Sequence, residues 1–94
     1  MAKFITRVAL YDANESDYEI LDKAMESAGF SRKITSSNGV AYQLPTAEYW
    51  MEDKLLLTNV LIIVQEAARS VRKEYGVIAS EIIGATWEGL LAVK

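Results

Sequence analysis

Apolar positions follow two periods along this chain, and the changes between them predict its elements. From Phe4 to Tyr11 apolar residues stand on both parities: Phe4, Val8 and Leu10 share one with Thr6, while Ile5, Ala9 and Tyr11 share the other. Successive strand side chains point to opposite faces, so the run reads as an interior strand with both faces at least partly covered. Asp12 ends it. Tyr18, Leu21, Met25 and Ala28 then recur at helical spacing, with Ile20 and Ala24 widening the stripe. Asn14 and Ser16 are N-cap candidates, Asp17 and Glu19 put negative charge in the first turn, and Gly29 stands where a C′ glycine belongs.

Phe30 to Thr35 reads as extended, and Ser36-Ser37-Asn38-Gly39 as the turn of a hairpin, because Asn-Gly supplies positive φ. A return strand runs from Val40 through Tyr42 and Leu44. Pro45 cannot donate to a sheet ladder, so a bulge or strand end belongs there, with Thr46 to Met51 as a continuation beyond it. Glu52-Asp53-Lys54 breaks the pattern. A second helix is predicted from about Leu55 to Tyr75, capped by Asp53 or by Thr58 and closed by Gly76. Its stripe is Val60, Leu61, Val64, Ala67, Ala68, Val71 and Tyr75, broadened by Ile62 and Ile63. Val77 to Ile83 reads as a strand, and Thr86 to Val93 as a further short one.

The order strand, helix, strand, turn, strand, helix, strand closes under right-handed crossovers as one α+β domain over residues 1–94. This is a ferredoxin-like βαββαβ sandwich: an antiparallel sheet with the opening strand inside and two helices on one face. The other face then meets solvent or a partner. Tyr42, Tyr49, Trp50 and Trp87 fall on or near strands, where they serve either as a base-stacking platform or as a subunit contact. A two-fold homodimer through that sheet face is the partner this favours.

Composition narrows the chemistry. The 94 residues are 51% hydrophobic and 24% charged, a globular balance. No cysteine is present, which excludes disulfides and thiolate zinc. No histidine is present either, so catalysis would fall to carboxylates, Arg, Lys, Tyr or hydroxyls. The net charge of −3 does not mark a nucleic-acid binder in bulk, although a local basic patch can still serve. The start of the chain has no signal-peptide pattern and no run long and apolar enough to cross a membrane, so a cytoplasmic location is expected.

Asp12, at the carboxyl end of an inner strand, can hold a divalent cation such as Mg2+ or simply start a turn. Arg7, Arg32 and Lys33 can neutralise the phosphates of single-stranded RNA or stand as solvated charges. Arg69, Arg72 and Lys73 suit the negative end of the second helix. The first helix carries Glu15, Asp17, Glu19, Asp22 and Glu26 against Lys23 alone, a face that repels phosphate.

Val8-Ala9-Leu10-Tyr11-Asp12 resembles the opening strand of the small ferredoxin-fold CRISPR adaptation subunit. Taken with Ala28-Gly29-Phe30-Ser31-Arg32, Asn38-Gly39 and Tyr42-Gln43-Leu44-Pro45-Thr46-Ala47-Glu48-Tyr49, the chain more closely resembles the GhoS-like antitoxins, most clearly over its first half. That resemblance implies the same fold and an endoribonuclease that cleaves or binds the messenger RNA of a small membrane-active toxin. It places Asp12 at the strand-end aspartate and Arg32 after the Gly-Phe step, as catalytic candidates. The competing expectation is a catalytically inert ferredoxin-like homodimer that binds protein, of phage or regulatory origin.

Overall fold

The computed structural model describes residues 1–72 and 74–93. Its elements in chain order are β1 (Ala2–Leu10), α1 (Glu15–Ser27), β2 (Lys33–Thr35), β3 (Ala41–Gln43), β4 (Glu48–Asp53), α2 (Leu57–Arg69) and β5 (Tyr75–Ile82). β1 is the middle strand of the order β4-β1-β5 and runs antiparallel to both neighbours. With the β2–β3 hairpin set apart as an excursion and Ser31, bridged to Trp50, in the second strand's place, this is the βαββαβ order of a ferredoxin-like α+β fold.

Both helices lie on one face of the sheet, and that face is the core. Phe4, Val8 and Leu10 from β1 and Tyr49 and Met51 from β4 meet Leu21 and Met25 of α1 and Val60, Val64, Ala67 and Ala68 of α2. Each fully buried Phe, Leu, Met or Val here is worth about 1.5–3 kcal/mol relative to exposure. The opposite parity of β1 is not covered as expected: Lys3 and Ile5 are half-buried, whereas Arg7 and Ala9 are exposed. β1 is interior in the sheet but open on one side. Ile20 and Ile62, expected to widen the helical stripes, also face outward.

α1 begins where its residues dictate. Asn14 Oδ1 accepts from the Asp17 N–H at 3.1 Å, and the Asp17 carboxylate accepts from the Asn14 N–H at 3.2 Å, a reciprocal cap. Gly29 follows the helix at φ +97°, and a Cβ there would meet Met51 Cε at 3.3 Å. α2 is shorter than predicted. It starts after Leu56, which supplies no side-chain cap, and ends at Arg69. Neither Asp53 nor Thr58 caps it. Gly76 does not close it but sits within β5 opposite Ala9, where a side chain would press on Tyr11 Oη at 3.0 Å. Lys73, assigned by sequence to the end of α2, lies outside the described residues.

The fourth place in the sheet is reduced to one bridge. Ser31 and Trp50 exchange N–H to carbonyl hydrogen bonds of 2.8 and 2.7 Å, after which the chain turns away into the separate hairpin β2–β3. Pro45 and Ala47, the latter at φ +63°, separate β3 from β4, so the expected strand end at the proline is present. The further strand expected at 86–93 is a single bridge between Tyr42 and Ala92.

Candidate nucleic-acid interface

Strand alternation and register together decide what the open face displays. Lys3, Ile5 and Arg7 of β1 stand opposite Glu52, Trp50 and Glu48 of β4, and on the other side opposite Ile82, Ser80 and Ile78 of β5. Ser31 pairs with Trp50, and Lys33, two residues on, shares its parity. The hairpin therefore rises as one wall beside this face. A groove of about 960 Å³ lies between them, lined among others by Lys3, Lys33, Tyr42, Trp50, Glu52 and Trp87. Tyr42 and Trp87 meet edge to face, with ring centroids 5.5 Å apart and planes at 63°.

Two ammonium groups beside three aromatic rings form the pair of features that a single-stranded nucleic acid uses: phosphates on the cations, bases on the rings. Lys3 was not singled out in the sequence, although it shares parity with Ile5 and Arg7. Tyr49, grouped by sequence with the platform, points the other way: it is fully buried among the core residues.

The other sequence candidates are placed elsewhere. Arg32 alternates away from Ser31 toward α1. Its guanidinium donates to the carbonyls of Pro45, Glu48 (2.7 Å) and Leu44 (2.9 Å), lies 3.7 Å from the Asp22 carboxylate and sits 5.6 Å from the Tyr49 ring centroid. The side chain is only 14% exposed. Its fork thus ties down the 44–48 crossover, which is why one Arg can hold a chain that Pro45 keeps out of the ladder. Tyr49 donates to Asp22 at 2.6 Å. Burial, then this bond and the carboxylate's charge, push the phenol far above its ordinary pKa, with Arg32 opposing.

Asp12 lies on the opposite flank of β1, exposed and at φ +52°. Arg72 donates to its backbone carbonyl and to that of Tyr11 at 3.5 Å, and the Tyr11 N–H donates to Glu74 O at 3.2 Å. A cavity of about 420 Å³ is lined there by Tyr11, Asp12, Val71, Arg72 and Glu74. Mg2+ wants near-octahedral oxygens. Here the guanidinium already occupies the carbonyl side and adds a repelling charge, and among the described residues no group of three or more acidic side chains gathers. Asp12 and Glu74 are the two carboxylate residues lining this cavity. Arg7 and Lys33 stand on the open side, whereas Arg32 and Asp12 are held by separate partner sets on opposite flanks of β1.

Fold and face together define a small α+β domain with a one-sided sheet, and no described helix is long and apolar enough to cross a membrane. Neither a family model nor a curated protein matches the chain.

Proposed function

We propose that this protein is a GhoS-like antitoxin that grips single-stranded RNA, the messenger of a small membrane-active toxin, and so works in the cytoplasm. The observation that carries the reading is the groove, which gathers Lys3 of β1 and Lys33 of β2 around Tyr42, Trp50 and Trp87. Each stacked base contributes about 1–3 kcal/mol, and each lysine adds a salt-sensitive phosphate contact. Arg7 extends the basic line along β1. The acidic α1 packs on the core face, so an RNA strand on the open face does not run along it.

The test is incubation of labelled single-stranded RNA with the purified protein, with and without magnesium, beside Asp12→Ala. We expect a salt-sensitive mobility shift in both proteins, because Asp12 lies outside the groove. Absence of any shift overturns the reading. Cleavage abolished by Asp12→Ala would give that aspartate the chemical role the resemblance implies.

A second reading has its own observation. Ile78 is 61% exposed on the same face, registered opposite Arg7, and Ile5 and Trp50 are only half-buried. That apolar strip suits a homodimer contact in a catalytically inert protein-binding module. A light-scattering mass of two chains with no RNA shift selects it.

A further inference from the structure

Beyond β5 the chain crosses from the β4-β1-β5 sheet to the separate β2–β3 hairpin. Ile82 pairs with Lys3, and the following segment flanks the groove through Gly84, Ala85, Thr86 and Trp87. It then lands on β3, where the Gln43 N–H donates to Leu91 O and the Val93 N–H donates to Ala41 O, each at 2.8 Å. β5 and β3 belong to opposite sides of the open face, so residues 83–93 span it from one margin to the other. Among the described residues this segment is tied to the hairpin by those two hydrogen bonds and the edge-to-face meeting of Trp87 with Tyr42, with Trp87, Leu90 and Val93 half-buried. Ile83 is fully exposed, and 84–86, 88 and 89 are exposed as well.

We propose that residues 83–93 form a detachable strap that gates the groove, so that a bound single strand passes between strap and sheet. This deepens the RNA reading and rests on it. A linear strand enters end first or through a released strap, whereas a strand without ends needs release. Segments with few buried contacts open locally at much lower cost than the whole fold, so release on the β3 side is the ready event. The β5 side is continuous with the sheet and stays.

The chain has no cysteine, so a single engineered disulfide is unambiguous. Tyr42 and Ala92 form a pair flanked, not joined, by hydrogen bonds, the antiparallel position where Cα atoms approach to about 4.5 Å, within reach of a disulfide. Tyr42→Cys/Ala92→Cys is compared with itself after reduction and with Tyr42→Cys alone, so loss of the tyrosine ring cancels. The probes are one labelled single-stranded RNA oligonucleotide in linear form and the same oligonucleotide ligated into a circle. Reduced protein, weakened toward both forms alike by loss of the Tyr42 ring, sets the reference for each. Oxidised protein is expected to retain the linear form and to lose affinity for the circle by about tenfold or more, since the competent state is no longer populated. Equal binding of the circle by oxidised and reduced protein overturns the strap while leaving the RNA reading intact. Binding of neither RNA by the unaltered protein removes both. In the unaltered protein, the Gln43 and Val93 amides are expected to exchange at least about tenfold faster than those of β1; equal protection contradicts a detachable strap.

Discussion

Two buried side chains and one largely covered one carry the residue-scale predictions. Thr6 is fully buried on the core face of β1, and its hydroxyl has no hydrogen-bond partner. Leaving such a group unmade costs about 1–3 kcal/mol, so Thr6→Val, nearly the same shape, is expected to raise stability by about 1 kcal/mol in urea unfolding. Arg32 gives its donors to three carbonyls, and Arg32→Lys offers a point charge in place of a fork. A loss of about 2 kcal/mol with RNA affinity unchanged is the expected result, read from paired unfolding and binding curves. Tyr49 keeps its proton in the folded state where an unfolded tyrosine, with its ordinary value of 10.0, gives it up. That contribution is complete below about pH 10 and is lost as pH rises above it, so Tyr49→Phe is expected to flatten the fall in stability from about pH 10 upward. Chain spacing placed Arg32 and Tyr49 on strands but could not say which face each takes. Their facing follows from the crossover at Pro45 and Ala47, which depends on contacts distant in sequence.

At the scale of elements, legibility followed local chemistry. α1 was readable because Asn14, Asp17 and Gly29 encode both its ends within a few residues. α2 was not, because no side chain caps it. Leu56 holds the N-cap position with φ −79° and ψ 151°, is 70% exposed and accepts from no helix N–H through its side chain. Leu56→Asp supplies the missing acceptor and a charge suited to the helix start. It is expected to stabilise the protein by about 1 kcal/mol, measured as a shift in the denaturant midpoint. The far end misled for a different reason: Tyr75 continues the helical spacing, yet it pairs with Leu10 as the first residue of β5. Long-range pairing overrode a local period.

Over the whole molecule, the topology was written in the order of elements, and the inner position of β1 in its unbroken β-forming run. What the pattern hid was the one-sidedness of the sheet, since Ile5 and Ala9 look like core residues until Arg7 and Lys3 are counted with them. The acidic residues of α1 stay on the core side, while Lys3, Arg7 and Lys33 stand on the open face beside Glu48 and Glu52. A chain of net charge −3 thereby still offers two lysines against one glutamate in the groove to a polyanion. The groove itself was half legible, through its aromatics and Lys33. Its closure needed the pairing of 91–93 with β3, which no local signal announces.

Equilibrium binding of a labelled single-stranded RNA across a salt series, for the unaltered protein and Lys3→Ala/Lys33→Ala, bears most directly on the groove. Each phosphate contact on a single strand contributes about 0.7 to the slope of log affinity against log salt, so removing two lowers it by about 1.4, with weaker binding at low salt. An unchanged slope and affinity would contradict the account.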